Sequence, residues 1–363
     1  MAAISTGQWT LASQNGLDGL HYDANSTKSE QDLGPNDVLV ELHAASLNYR
    51  DLMVTKSPIG NSIPIKIIPS LIPGSDGSGR ILAIGSAVAS ARPDLKSGVD
   101  VITYICPSIA DDALPGFDTV DNEGLGGATH GTLCRRGIFH HGALVRKPVN
   151  LSYAQAATLT GSGLTAWNLL IGHKGREVKQ GDWVLVQGTG GVSIAALQIA
   201  VSAGANVIAT TSSDAKAERL RALGASHVLN YRTTPGWGEK AKTLTPNGRG
   251  VDHVVDVVGP STLPESLKAV RQDGVISLVG TVGGLTGEGQ TPVDIMSALF
   301  HSCVVRGILL GTRDMLRDMV KYVEDKKIQI AVDDVEFKLE DAKSAYERLQ
   351  SQKHFSKVII KMD

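Results

Sequence analysis

A chain of 363 residues is long enough for two domains and a large buried core. Hydrophobic residues at 42% and charged residues at 20% suit an ordinary water-soluble globular protein, and a net charge of −2 argues against nucleic acid or an anionic membrane as partner. With no basic block, no apolar run of transmembrane length and no signal-peptide pattern in residues 1–10, a cytoplasmic protein is expected.

Residues 1–155 read as β-rich. Residues 38–44 alternate after the turn Gly34-Pro35-Asn36-Asp37, and 81–84 and 99–104 are further short strands. Gly98 and the Pro/Gly-rich stretch 69–79 supply turns, so a small, partly open barrel is expected. Residues 106–131, rich in Asp, Gly and Pro without a clear period, read as a long surface loop that could act as a lid. Cys106, Cys134 and Cys303 are odd in number and widely spaced, so no disulfide or metal framework is expected.

From residue 151 the pattern turns helical and apolar up to 170. Strands at 183–187, 206–210, 227–230, 251–258, 275–279 and 304–310 then alternate with helices, most clearly 193–203 and 216–223. Near-continuous apolar strands separated by helices predict a parallel sheet covered on both faces. Helices at 315–324 and 341–350 and a strand at 357–361 close the chain. The expected division is 1–155, 156–314, and a return of 315–363 to the first domain.

The stretch Val184-Leu185-Val186-Gln187-Gly188-Thr189-Gly190-Gly191-Val192-Ser193 is strand, tight turn and helix start of a dinucleotide-binding βαβ unit. Gly188 lets the backbone turn off the strand, and Gly190, lacking Cβ, lets a pyrophosphate approach. The helix opening near Gly191 offers free N–H groups and the positive end of its dipole. Gly188, Thr189, Gly190, Gly191 and Val192 are therefore candidate cofactor residues, with Ser193 as the small residue that lets helix and strand pack. Where an NAD-selective fold carries an acidic residue at the end of the second strand, this chain has Thr211, then Ser212 and Ser213, with Lys216 one turn on. Hydroxyls and a positive charge suit a 2′-phosphate, so NADP(H) is the expected cofactor. Tyr231 could add a ring against the adenine or another donor. Asp214 dissents, unless it points outward as a helix N-cap.

The set Ser46-Leu47-Asn48-Tyr49-Arg50-Asp51-Leu52-Met53, Pro73-Gly74-Ser75-Asp76-Gly77-Ser78-Gly79 and Gly163-Leu164-Thr165-Ala166-Trp167, with the glycine turn, resembles the medium-chain dehydrogenase/reductase superfamily. Within it the chain is most similar to the quinone oxidoreductase and enoyl reductase branch, including fungal proteins labelled zinc-type alcohol dehydrogenases. The resemblance spans nearly the whole chain. It implies an α/β protein with a GroES-like barrel domain, a Rossmann domain and an active-site cleft between them. It further implies that Gly280 and Val282, in the loop 280–284, hold the nicotinamide carboxamide, and that a homodimer forms through the edge strand 304–310, though a monomer stays open.

The departures bear on mechanism. Zinc alcohol dehydrogenases carry Cys, His and Cys where this chain has Asn48, Ser75 and Gly161, and the four-cysteine structural zinc lobe is absent. A catalytic zinc needs three Cys, His or carboxylate ligands, so no metal is expected. Asp76, His130, His140 and His141 remain as improvised ligands, the adjacent histidines pointing to opposite sides of an extended segment. By the resemblance Asn48 and Tyr49 face nicotinamide and substrate, with Tyr49 as acid or carbonyl donor. Asp51 either orients them or caps the next helix, and Tyr104 either lines the cleft or fills the barrel core. Lys357 lies towards the family's cofactor side but reads as a solvated lysine.

The expected function is NADPH-dependent, zinc-independent reduction of a carbonyl-conjugated C=C bond or a quinone. An NADP-dependent alcohol dehydrogenase or carbonyl reductase without zinc is the alternative of the same class. A non-catalytic NADPH-sensing protein is the alternative of another class. The substrate would be set by segments 59–64, 106–131 and 285–300, none of which carries a readable code.

Overall fold

The computed structural model describes residues 7–26, 28–56, 65–280 and 294–362. The chain forms two compact units, residues 1–164 with 312–363, and residues 165–311. The sequence placed the changes at 155 and 314. The helix Tyr153–Ala157 belongs to the first unit because it packs on the strands Asp37–Ser46 and Asp76–Ile84. Thr312 opens the helix Arg313–Asp325, which packs on the strand Leu144–Arg146.

The first unit is built on a seven-stranded sheet. Its spatial order is Glu336–Lys338, Ile359–Lys361, Asp37–Ser46, Asp76–Ile84, Asp100–Thr103, Leu144–Arg146, with Arg136–His140 also paired to Asp37–Ser46. The long strand Asp37–Ser46 is its axis. Alternation there predicts one wet face, yet Val38, Leu39, Val40, Leu42, Ala44 and Ala45 are all buried. The register shifts twice against Asp76–Ile84, and Tyr153–Ala157 covers one face, so both sides meet protein. The C-terminal strand Ile359–Lys361 pairs antiparallel to it, Ile359 opposite Ser46.

Residues 106–131 run largely over the surface between 108 and 123, as expected of a loop, but carry a short helix and are anchored in the interior at both ends. The carbonyls of Cys106, Pro107 and Ile109 accept hydrogen bonds from the buried Arg313 guanidinium, which also pairs with Asp111. Arg50 donates to the Leu125 carbonyl at 2.9 Å, and a helix runs Phe117–Glu123. The buried Arg313 and the half-buried Arg50, both from elsewhere in the chain, thus supply partners for carbonyls that this aperiodic backbone leaves unpaired within itself. Tyr104 is fully buried with its ring 5.0 Å from the Arg313 guanidinium, which makes it a core residue.

The second unit is a six-stranded parallel sheet in the spatial order His227–Asn230, Asn206–Thr211, Trp183–Gln187, Val251–Asp256, Val270–Leu278, Val304–Gly307. The strand order reverses between Trp183–Gln187 and Val251–Asp256, and in such sheets ligands bind beyond the carboxyl ends of the strands at that point. Leu185, Ile208, Val254 and Ile276 form the middle of one core layer, covered by Trp237, Ala241 and Leu267 from the helices Trp237–Thr243 and Leu263–Ala269. Among the described residues no helix is long and apolar enough to cross a membrane.

Candidate active site

In the second unit the strand Trp183–Gln187 runs into the turn and then the helix Gly191–Ser202. Gly188 has φ +74°, the left-handed region that a side chain strains to enter. Its N–H donates to the Thr210 carbonyl at 3.0 Å, fastening the turn to the neighbouring strand. Gly190 is the helix N-cap, and a Cβ built there would meet nothing within 4 Å. The turn therefore leaves open space above Gly190, in front of the first N–H groups of the helix, as a pyrophosphate requires. Thr189 is buried in the turn, while Gly191 and Val192 are half-buried at the helix start. Ser193 does what a small residue should: it is buried, and its hydroxyl donates to the Gln187 carbonyl at 2.6 Å.

At the end of the next strand, Ser213 caps the helix Asp214–Ala222, its Oγ accepting from the Lys216 N–H at 3.4 Å. The cap expected of Asp214 therefore belongs to Ser213. The Asp214 carboxylate instead accepts from Asn230 Nδ2 at 3.1 Å, which draws the dissenting charge aside. Ser212 and Lys216 are half-buried at the same strand end, and the Tyr231 side chain is exposed while its N–H donates to the Thr211 carbonyl at 3.1 Å. At Gly280 a Cβ would lie 2.4 Å from the Val257 carbonyl oxygen, so the neighbouring backbone itself demands glycine. Val282 lies outside the described residues, as do residues 59–64 and much of 285–300.

A polar knot at the strand reversal carries no signal in the sequence. Asp256, fully buried, accepts from the N–H groups of Val258 and Gly259 at 3.2 and 2.9 Å and from Ser266 Oγ at 2.7 Å. Gln187 Nε2 donates to the same Ser266 hydroxyl at 2.8 Å, tying the ends of the two central strands together.

In the first unit Asn48 is the N-cap of the short helix Tyr49–Val54. Asp51 accepts from the Asn48 N–H at 2.6 Å, so it does serve as the local cap. Burial pushes its carboxyl up to about 6, and its other oxygen, Oδ1, is buried with no hydrogen-bond partner. Tyr49 points its ring outward, 42% exposed.

The positions of the three missing zinc ligands do meet in space. Asn48 Nδ2 donates to Ser75 Oγ at 3.3 Å, Ser75 Oγ donates to Asp76 Oδ1 at 3.1 Å, and the Gly161 N–H donates to Asp76 Oδ2 at 3.3 Å. Gly161 lies in a single π-helical turn, Leu159–Gly163, a form that recurs at functional sites. The fourth member is Lys357, whose ammonium donates to Asn48 Oδ1 at 2.5 Å and to Asp76 Oδ2 at 3.2 Å. Lys357 is only 3% exposed, so the solvated-lysine expectation is wrong. The strand Ile359–Lys361, docked beside Ser46, carries Lys357 in from 309 residues away, out of reach of any sequence window.

This donor set does not fit a catalytic zinc. An amide, a hydroxyl and a glycine replace the three ligands, and the adjacent carboxylate is already held by an ammonium that would repel a second cation. Among the described residues no group of three or more His, Cys, Asp or Glu side chains could hold a metal ion. His130 Nδ1 accepts from the Ile72 N–H at 3.2 Å. His140 and His141 do not point apart, as an extended segment would require: the strand ends at His140, the backbone bends, and the rings lie 4.3 Å apart. All three cysteines are free thiols.

Two family models match the chain: the alcohol dehydrogenase GroES-like domain over residues 34–149 and the zinc-binding dehydrogenase over residues 191–325. A zinc-type alcohol dehydrogenase-like protein of Schizosaccharomyces pombe is 42% identical, the match covering 92% of this chain and 93% of that protein. The crystal structure of a protein assigned as an alcohol dehydrogenase from Sinorhizobium meliloti superposes with a TM-score of 0.86 at 34% identity, with full coverage of both chains. A crotonyl-CoA carboxylase/reductase of Cereibacter sphaeroides is 28% identical over 68% of this chain and 63% of its own.

Proposed function

The chain belongs to the medium-chain dehydrogenase/reductase superfamily, and from that premise we propose an NADPH-dependent reductase of carbonyl-conjugated C=C bonds or quinones that works without zinc. The observation that carries the reading is the ring of Asn48, Ser75, Asp76 and Lys357, which puts hydrogen-bond donors and a fixed ammonium where a zinc enzyme puts its ligands.

When bound, the reduced nicotinamide supplies a hydride. Residues 188–192 would hold the pyrophosphate, Ser212, Ser213 and Lys216 the 2′-phosphate, Tyr231 the adenine side, and Gly280 with Val282 the carboxamide. Reduction of a conjugated alkene places the hydride on the β-carbon and moves an electron pair through the double bond to the carbonyl oxygen. That oxygen needs a donor as its charge grows, and the Asn48 amide N–H supplies it. A proton then completes the saturated product, and the Tyr49 hydroxyl, exposed one residue away, is the donor. Asp51 acts on both through the helix it caps. A delocalised charge is within the capacity of hydrogen bonds, whereas an isolated ketone leans harder on a Lewis acid.

The name of the Cereibacter relative fits reduction of a conjugated double bond. The names of the Schizosaccharomyces and Sinorhizobium relatives favour a second reading, zinc-independent alcohol dehydrogenation or carbonyl reduction. One experiment separates them. Chelator-treated protein is given NADPH and an α,β-unsaturated aldehyde, and the isomeric products are resolved against chromatographic standards. Saturated aldehyde supports C=C reduction; unsaturated alcohol moves the assignment to the second reading. No turnover with any acceptor would point to an NADPH-sensing protein instead.

We also propose a homodimer through the strand Val304–Gly307. It is the edge of its sheet; Val305 on it, and Ile295, Leu299 and Phe300 in the residues leading into it, are exposed.

A further inference from the structure

We propose that Lys357 is a positioning residue, an internal cation that locks the Asn48 carboxamide so that its N–H, and not its carbonyl, is offered to the substrate's carbonyl oxygen. The inference rests on the reductase reading above and adds to it the group that makes Asn48 competent. An ammonium has three donors and no acceptor, so the Asn48 atom 2.5 Å from Lys357 Nζ is the amide oxygen. The opposite side of the amide therefore carries the NH2 group. One of its hydrogens goes to Ser75 Oγ at 3.3 Å, which leaves the other uncommitted within the ring.

Access follows the same order. Lys357, Asp76 and Ser75 are 3%, 0% and 1% exposed, while Asn48 is half-buried, so the amide is the ring's outermost member. Asp76 holds the ammonium in place and is itself braced by Ser46 Oγ at 3.2 Å and the Gly161 N–H at 3.3 Å. Glycine at 161 gives the ring room: a Cβ there would lie 2.9 Å from Asn48 Oδ1 and 3.1 Å from Asn48 Nδ2 and Asp76 Oδ1, so these side-chain ends would have to shift. A cation on the amide oxygen draws electron density from the nitrogen and strengthens its N–H as a donor. It also sets a fixed positive charge behind the point where negative charge develops, the electrostatic office that a metal ion would otherwise hold.

The test is a double-mutant cycle on the full-length protein with an enone and NADPH. Lys357→Met breaks a buried ion pair and can fail to fold. The paired variant Asp76→Asn/Lys357→Met removes both charges at nearly constant shape and is measured beside it. Turnover should fall about 100- to 1000-fold in whichever variant folds, as for loss of an oxyanion donor, with NADPH affinity within threefold of wild type. In an Asn48→Ala background the same changes should cost less than threefold, because the amide they orient is gone. Independent, fully additive losses would overturn the proposal, as would unchanged turnover in the paired variant. A second readout needs no substrate. The Asn48 side-chain amide resonances, identified by their loss in Asn48→Ala, should shift in the folded variant; unshifted resonances would overturn the proposal. A wild-type protein inert towards every enone, enal and quinone would overturn the reductase reading instead, while the resonances still decide the geometry.

Discussion

Replacing Gly190 with alanine should separate stability from cofactor binding. The residue has φ −78° and ψ 174°, open to any amino acid, and an added Cβ meets no heavy atom within 4 Å. Exchanging a glycine N-cap for alanine costs about 0.5–1 kcal/mol, and restricting the unfolded chain returns about 0.4–1 kcal/mol. The two nearly cancel, so the melting temperature should stay within about 3 °C of wild type. The methyl group, however, stands in the space through which phosphate oxygens must reach the first helix N–H groups. Loss of one charge-assisted hydrogen bond, about 1.5–3 kcal/mol, weakens NADPH binding about 10- to 150-fold. Gly188→Ala is the mirror experiment. Its φ of +74° charges a side chain about 1–2 kcal/mol in backbone strain, so that variant should melt several degrees lower. Thermal unfolding and titration of NADPH fluorescence read both quantities on the same preparations. A folded Gly190→Ala protein that binds NADPH within twofold of wild type would refute the placement of the pyrophosphate.

Three further outcomes are expected. NADPH should bind at least about tenfold more tightly than NADH, and Lys216→Ala should shrink that ratio, as removal of a charged hydrogen-bond donor requires; equal affinities in the wild type would remove the 2′-phosphate assignment. Asp51, with its carboxyl pushed up to about 6 by burial, binds its proton more tightly folded than unfolded. Its contribution to stability is thus fully present below about pH 4 and lost as pH rises through about 6. Asp51→Asn keeps an acceptor for the Asn48 N–H without that titration, so its melting temperature should gain about 5 °C on wild type between pH 4.5 and 7.5; a constant difference would mean that Asp51 does not titrate there. Elemental analysis should find substoichiometric zinc and chelation should leave turnover intact, whereas one tightly held ion per chain would overturn the zinc-free mechanism.

Features encoded in short windows were legible from the sequence. The glycine turn was readable because Gly188, Gly190 and Ser193 act within a few residues: one takes a positive φ, one leaves space, one grips the preceding carbonyl. The parallel sheet was readable because strands buried on both faces leave unbroken apolar runs. The departures from the family's zinc-ligand pattern at Asn48, Ser75 and Gly161 were also visible in the sequence.

Which side chains gather around those positions was decided only by tertiary structure. Lys357 reads as one more surface lysine until the strand Ile359–Lys361 docks beside Ser46 and buries it against Asn48 and Asp76. The same holds for residues 106–131, ordered by Arg313 and Arg50 from distant helices, and for His140 and His141, brought together by a bend at the end of their strand. Local sequence determines dihedral preference and the period of burial. The partner of a buried charge is set by which strand edge remains open for the last segment to join, and that is a property of the assembled sheet.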